Sequence, residues 1–172
     1  MGRAQSIAFM LQPTRPGQPP TLGVGPHTLA NLGYNLRVEI ATASAFVNNV
    51  PSPAQRQSIQ VWGHLDTGAA RTAISPIIAT HIGLVQTGAS AIHTANGSAL
   101  NPTYAIDLIF AGTTLKARTD LGVASCTLPF TLAAHQSSPN DPKNVGVLIG
   151  RDIMAAWHIM WDGPTSTIVI SD

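Results

Sequence analysis

Asp66 closes an apolar alternating run, Ser58-Ile59-Gln60-Val61-Trp62-Gly63-His64-Leu65, and is followed at once by Thr67 and Gly68. The glycine lets the chain turn tightly and brings backbone N–H groups close to the acid. A carboxylate held at a turn among donors can take up and return a proton. The same tripeptide also makes an ordinary β-turn with no chemistry attached. Other candidate groups are weaker. The histidines, His27, His64, His81, His93, His135 and His158, include no i, i+4 pair of the kind that builds a helical zinc site, so no metal is expected. Cys126 could be drawn with His135 as a thiol hydrolase, but no local signature surrounds it, and a buried apolar thiol is the simpler reading. Gly23-Val24-Gly25 lacks the third glycine and the strand and helix of a dinucleotide loop, so no cofactor is expected.

The elements that must hold Asp66 are mostly strands. Leu36, Val38 and Ile40 alternate with Arg37, Glu39 and Ala41, the two-residue period of a half-buried strand, and the run 58–65 repeats that period after a polar, proline-containing stretch. The two form an expected hairpin with a long loop. Ser75-Pro76, then Ile77, Ile78, Ala79 and Ile82, then Gly83, spell an N-cap, a first-turn proline and a glycine stop, hence one short helix. Further strands are expected at 91–94, 104–110, 115–119, 127–132, 145–149 and 167–170, with Asn96-Gly97 and Asp162-Gly163 as turns. Short strands at close spacing predict an all-β barrel or sandwich. Residues 12–26 are dense in proline and glycine, which breaks helices and ladders alike. Residues 1–33 are therefore read as an N-terminal extension and 34–172 as the folded domain.

Leu65-Asp66-Thr67-Gly68-Ala69 followed by Thr72-Ala73-Ile74-Ser75 resembles the active-site motif of retropepsin-type aspartic proteases, single-motif relatives of pepsin. A second match comes later and in the family's order: Val147-Leu148-Ile149-Gly150-Arg151-Asp152 resembles its strand and helix near the C-terminus. The closing runs 157–163 and 166–170 are similar to the last strands of pepsin-like lobes. The likeness spans roughly 34–172. It implies a closed β-barrel or sandwich with one or two short helices, and an endopeptidase in which Asp66, Thr67 and Gly68 are catalytic. Ala69, Ala70, Arg71 and Ile149 would line the substrate. Thr94, Ala95, Asn96 and Gly97 would form the tip of a covering hairpin, the flap.

Peptide hydrolysis by carboxylates needs one group to accept a proton from water while another donates to the amide. Neither Asp120-Leu121-Gly122 nor Trp161-Asp162-Gly163 repeats the motif, and Glu39 is the single glutamate. The resemblance therefore implies a homodimer in which two Asp66 carboxylates meet across a two-fold axis and share a proton. It also implies that Thr67 bonds across that axis, that the Gly68 amide donates to a carboxylate, that Ile149 and Gly150 pack behind the acids, and that Arg151 braces the loop; the alternatives for Arg151 are pairing with Asp152 or no identifiable partner. Ala70 and Arg71 depart from the viral pattern, which has a further acid there, so specificity does not carry over. Two other readings remain: a retropepsin-like dimerisation or peptide-binding domain with little or no cleavage, and an unrelated β-barrel module.

Composition narrows the partners. The 172 residues include nine Lys and Arg against eight Asp and Glu, a formal charge of +1, and 5% aromatics. That leaves no basic footprint or stacking platform for nucleic acid, so a polypeptide substrate is the expected partner. No run approaches the roughly 18 apolar residues of a membrane span, and no signal-peptide core is present, so a cytoplasmic location is expected.

Overall fold

The computed structural model describes residues 4–8, 34–43, 57–94, 97–113, 115–162 and 167–172. Six strands close on themselves. β2 (Asn35–Thr42) pairs antiparallel with β3 (Ser58–Leu65), whose other edge runs parallel to β8 (Val145–Ile149). β8 pairs antiparallel with the two-residue β4 (Ala73–Ile74), which runs parallel to β7 (Arg118–Ser125). β7 pairs with β6 (Gly97–Phe110), and β6 returns to β2, so the ring has no free edge. β5 (Gln86–Thr94) pairs along the first half of β6 as a projecting hairpin arm. A separate antiparallel sheet has the order β1 (Ala4–Ala8), β10 (Thr167–Ser171), β9 (His158–Asp162).

The two-residue period places side chains as expected. Leu36, Val38 and Ile40 from β2 and Ile59, Val61 and Leu65 from β3 point inward and are buried, while Arg37, Glu39, Trp62 and His64 face outward. Ile74, Ile106, Leu108, Val147 and Ile149 fill the rest of the barrel. Each such side chain contributes about 1.5–3 kcal/mol on burial, and this apolar interior is what holds the strand ends in place. Between the barrel and the second sheet, Phe110 meets Trp157 edge-on at 5.0 Å, with Ile168 and Ile170 fully buried.

Three short helices occur among the described residues: α1 (Pro76–His81), α2 (Leu132–Ser137) and α3 (Arg151–Met154). In α1, Ser75 Oγ caps by accepting from the Ile77 N–H, and Gly83 ends it with φ 63°, a left-handed conformation that glycine takes without strain.

Several local expectations are corrected. Residues 127–132 form a loop and the start of α2. Thr131 caps that helix, and the Asn144 side chain, accepting from Thr131 N at 2.8 Å and donating to Thr131 O at 3.2 Å, takes the place of a neighbouring strand. The strand expected at 115–119 starts at Arg118 and continues to Ser125, so Asp120-Leu121-Gly122 lies inside β7. The Asp120 N–H donates to the buried Asp107 at 2.9 Å, and its φ of 52° marks a local irregularity in the strand. The 1–33 segment also supplies a strand: Ala4–Ala8 lies along β10 in the register Ala4↔Ser171 to Ala8↔Thr167. Polar Gln5 and Ser6 hide it from any reading based on hydrophobic period.

No helix among the described residues is long and apolar enough to cross a membrane.

Candidate active site

Asp66 is set by two strand ends. The Leu65 N–H donates to Tyr34 O at 2.8 Å, and the Asp66 N–H donates to Ile149 O at 3.0 Å, extending the parallel β3–β8 ladder one residue beyond Leu65↔Ile149. The chain then turns back. Ala69 N–H donates to Asp66 O at 3.2 Å, while Oδ1 of Asp66 accepts from Gly68 N–H at 2.8 Å and from Ala69 N–H at 3.2 Å. A Cβ on Gly68 would stand 3.1 Å from that same oxygen. Oδ2 takes no hydrogen bond among the described residues. Asp66 is half-buried, with Thr67 and Gly68 exposed beside it. One carboxylate oxygen is thus anchored by backbone amides, and the other is left for a water or a second acid.

The loop is clamped from below by the turn after β8. The Arg151 N–H donates to Ala69 O at 3.0 Å, and Arg151 Nη1 reaches Thr67 O at 3.5 Å. Asp152 turns away from Arg151. Its oxygens accept from Thr72 N–H at 3.0 and 2.9 Å, from Thr72 Oγ1 at 2.8 Å and from Ile153 N–H at 3.0 Å. Thr72 Oγ1 in turn accepts from Gly150 N–H at 3.1 Å. Of the two roles open to Arg151, bracing the loop is the one this geometry shows.

Thr72 is 0% exposed and sits at the centre of this network, a role that reading the motif alone does not assign to it. Asp152 likewise finds its partner far along the chain, at Thr72. Asp152 is exposed while Thr72 is fully buried, so removing the carboxylate takes the partner from a buried N–H and hydroxyl, and each such hydrogen bond left unmade costs about 1–3 kcal/mol. Asp152→Ala is expected to lower unfolding free energy by about 3 kcal/mol, and Asp152→Asn, which keeps one acceptor, by about half of that. Urea unfolding of the two variants checks this; equal, sub-kcal losses would contradict it.

The other residues singled out in the sequence are distributed unevenly. Ala69 is half-buried, and Ala70 and Arg71 are exposed on the Asp66 loop. Ile149 is 0% exposed; a Cβ on Gly63 would lie 3.0 Å from its Cδ1. Within one chain it therefore contributes its carbonyl to Asp66, and its side chain belongs to the core, because the barrel's inward face claims it. Thr94 and Gly97 oppose one another at the end of the β5–β6 arm, with Gly97 at φ 122°, and Ala95 and Asn96 lie outside the described residues.

Two titratable groups flank Asp66. His64 Nδ1 donates to Asn35 Oδ1 at 2.7 Å, a tautomer set by Asn35 Nδ2 donating to Pro142 O at 2.9 Å. Burial holds the His64 imidazole below its ordinary pKa, with the Asp66 charge partly offsetting that. Burial, and then Asp66, push the Cys126 thiol up, which opposes thiolate chemistry there. His135, which the sequence offers as a partner for Cys126, packs at 5.8 Å on Phe130. Burial first, then Arg37 and His81, lower its pKa.

A histidine with a lowered folded pKa binds its proton more readily when unfolded. Above pH ~6.5 both states are neutral, and stability then falls as the pH drops from ~6.5 through the lowered folded value. His64→Gln is expected to flatten the unfolding free energy over that acidic window relative to wild type. His135→Gln removes the separate contribution of His135. A wild-type slope retained in the double variant would contradict the assignment.

No protein-family model matches the sequence, and no curated protein matches it. Among solved structures, the chain is similar to the crystal structure of a retropepsin-like aspartic protease from Rickettsia conorii, with 14% sequence identity over 99% of this chain and 95% of that one, at a TM-score of 0.44.

Proposed function

We propose that the protein is an aspartic endopeptidase that works as a homodimer. The observation that supports this best is the state of Asp66. One oxygen is fixed by the Gly68 and Ala69 amides, the other is open, and the loop is locked by Thr72 and Asp152. A turn that merely reversed the chain would need no such clamp, whereas a proton-transfer group gains from being held still before the substrate arrives.

In this reading two Asp66 carboxylates share one proton across the dimer axis. The ionised partner takes a proton from a bound water as its oxygen attacks the peptide carbonyl carbon, and the protonated partner hydrogen-bonds the carbonyl oxygen. Collapse of the tetrahedral species breaks the C–N bond. The amine leaves with one proton, and the pair returns to its singly protonated form. Thr67 pairs with its symmetry mate to keep the acids coplanar, and the β5–β6 arm of each subunit, tipped by Thr94 to Gly97, covers an extended polypeptide. No metal or cofactor enters the scheme.

Incubation of the protein with an unfolded polypeptide from acidic to neutral pH tests this. The expected result is cleavage at internal bonds whose rate per chain falls on dilution as dimers separate. Absence of cleavage at every pH would favour a peptide-binding role for the same fold.

A further inference from the structure

The charges around the Asp66 loop are unevenly committed. Residues 66–72 and 150–152 carry two carboxylates, Asp66 and Asp152, and two guanidiniums, Arg71 and Arg151. Asp152 spends both oxygens on Thr72 and Ile153. Asp66 gives one oxygen to its own loop amides and leaves Oδ2 open. Arg151 is exposed, and its guanidinium touches only the neutral Thr67 carbonyl. Arg71 is exposed and has no hydrogen bond or ion pair among the described residues, where the ion pair formed is Lys116 with Asp172. The four charges balance formally, because neutral N–H and O–H donors do not cancel a carboxylate; what sets Arg71 apart is an exposed guanidinium that pairs with neither acid.

The backbone beneath Arg71 is immobilised. Its carbonyl carbon and oxygen lie so close to Gly150 that a Cβ there would stand 2.4 and 2.7 Å away, and Thr72, next in the chain, is tied to Asp152. A free guanidinium carried on a fixed stretch of backbone can grip a carboxylate through two parallel hydrogen bonds. We propose that Arg71, assisted by Arg151, selects polypeptides carrying an Asp or Glu side chain close to the bond at Asp66. This rests on the endopeptidase reading for its location and adds the chemical class of the substrate. By two-fold symmetry the dimer presents the preference on both sides of the scissile bond.

The test uses the full-length Asp66→Asn protein and three fluorescent peptides that share one apolar frame and carry Glu, Gln or Lys at the flanking positions. Anisotropy titrations at low and high salt are expected to show the Glu peptide binding about tenfold tighter than the Gln peptide at low salt, with a smaller margin at high salt. Adding Arg71→Ala should erase that margin, Arg71→Glu should turn it toward the Lys peptide, and Arg151→Ala should reduce it in part. Equal binding of all three peptides, binding of none, or a Glu preference that survives Arg71→Ala would overturn the proposal. Cleavage by the wild type separates this from the catalytic reading. Cleavage without charge preference removes only the role of Arg71, whereas an Arg71-dependent Glu preference without cleavage removes only the catalysis.

Discussion

Asp66→Asn protein is expected to fold like the wild type and to lose peptide-bond cleavage by about a thousandfold or more, the scale of a general acid–base contribution. The fold survives because an asparagine Oδ1 can accept the same two N–H groups, from Gly68 at 2.8 Å and Ala69 at 3.2 Å. What disappears is the open oxygen, replaced by an NH2 that cannot take a proton from water. The dimer reading makes a sharper demand. When equal amounts of wild-type and Asp66→Asn chains are unfolded together and refolded, random pairing leaves about a quarter of the dimers with both acids. Activity should fall to that fraction of the undiluted wild type. A fall to only one half would mean that each chain cleaves by itself, and retained activity in pure Asp66→Asn protein would remove Asp66 from the chemistry.

Gly150→Ala is expected to be among the most damaging substitutions in the chain. The backbone there has φ −88° and ψ 179°, open to any residue, so the obstacle is space alone. A Cβ would sit 2.4 Å from Arg71 C and 2.7 Å from both Arg71 O and Thr72 N. Those are backbone atoms of a loop that Asp152 holds, and they have nowhere to retreat. The expected loss is about 3 kcal/mol or more, the upper range for overpacking. Gly146→Ala is the control. Its Cβ would meet Ile78 Cδ1 at 2.5 Å and Val61 at 3.1 Å, and the isoleucine tip can swing aside, so the loss should be about 1–2 kcal/mol. Thermal and urea unfolding of both variants measure the difference; a Gly150→Ala protein at least as stable as the Gly146→Ala protein would contradict the packing argument.

The Gly150 prediction depends on contacts between segments distant in the chain, whereas the hydrogen bonds of Asp66 are local, and this separates the features legible in residue order from those that were not. The strands β2, β3 and β8, the helix α1 with its serine cap and glycine stop, and the presence of an acid at a tight turn were legible from residue order. These features arise from neighbours within a few positions, where side-chain period, capping and backbone preference act directly. The β1 strand and the two-residue β4 were not, because their register is imposed by β10, β7 and β8 and neither carries a period of its own. Residues 127–132 misled for a similar reason. Their apolar, strand-like look was overruled by the amide of Asn144, which claims Thr131 at both backbone groups.

The candidate site divides along the same line. Residue order alone put Asp66 at a glycine turn with amides near its carboxylate, because Gly68 and Ala69 are two and three residues away. The closed barrel, by contrast, made Thr72 the buried hub and gave Asp152 to Thr72 and not to Arg151. Those assignments are competitions among groups separated by 78 to 80 positions, and their outcome rests on which one the closed barrel brings within hydrogen-bonding reach.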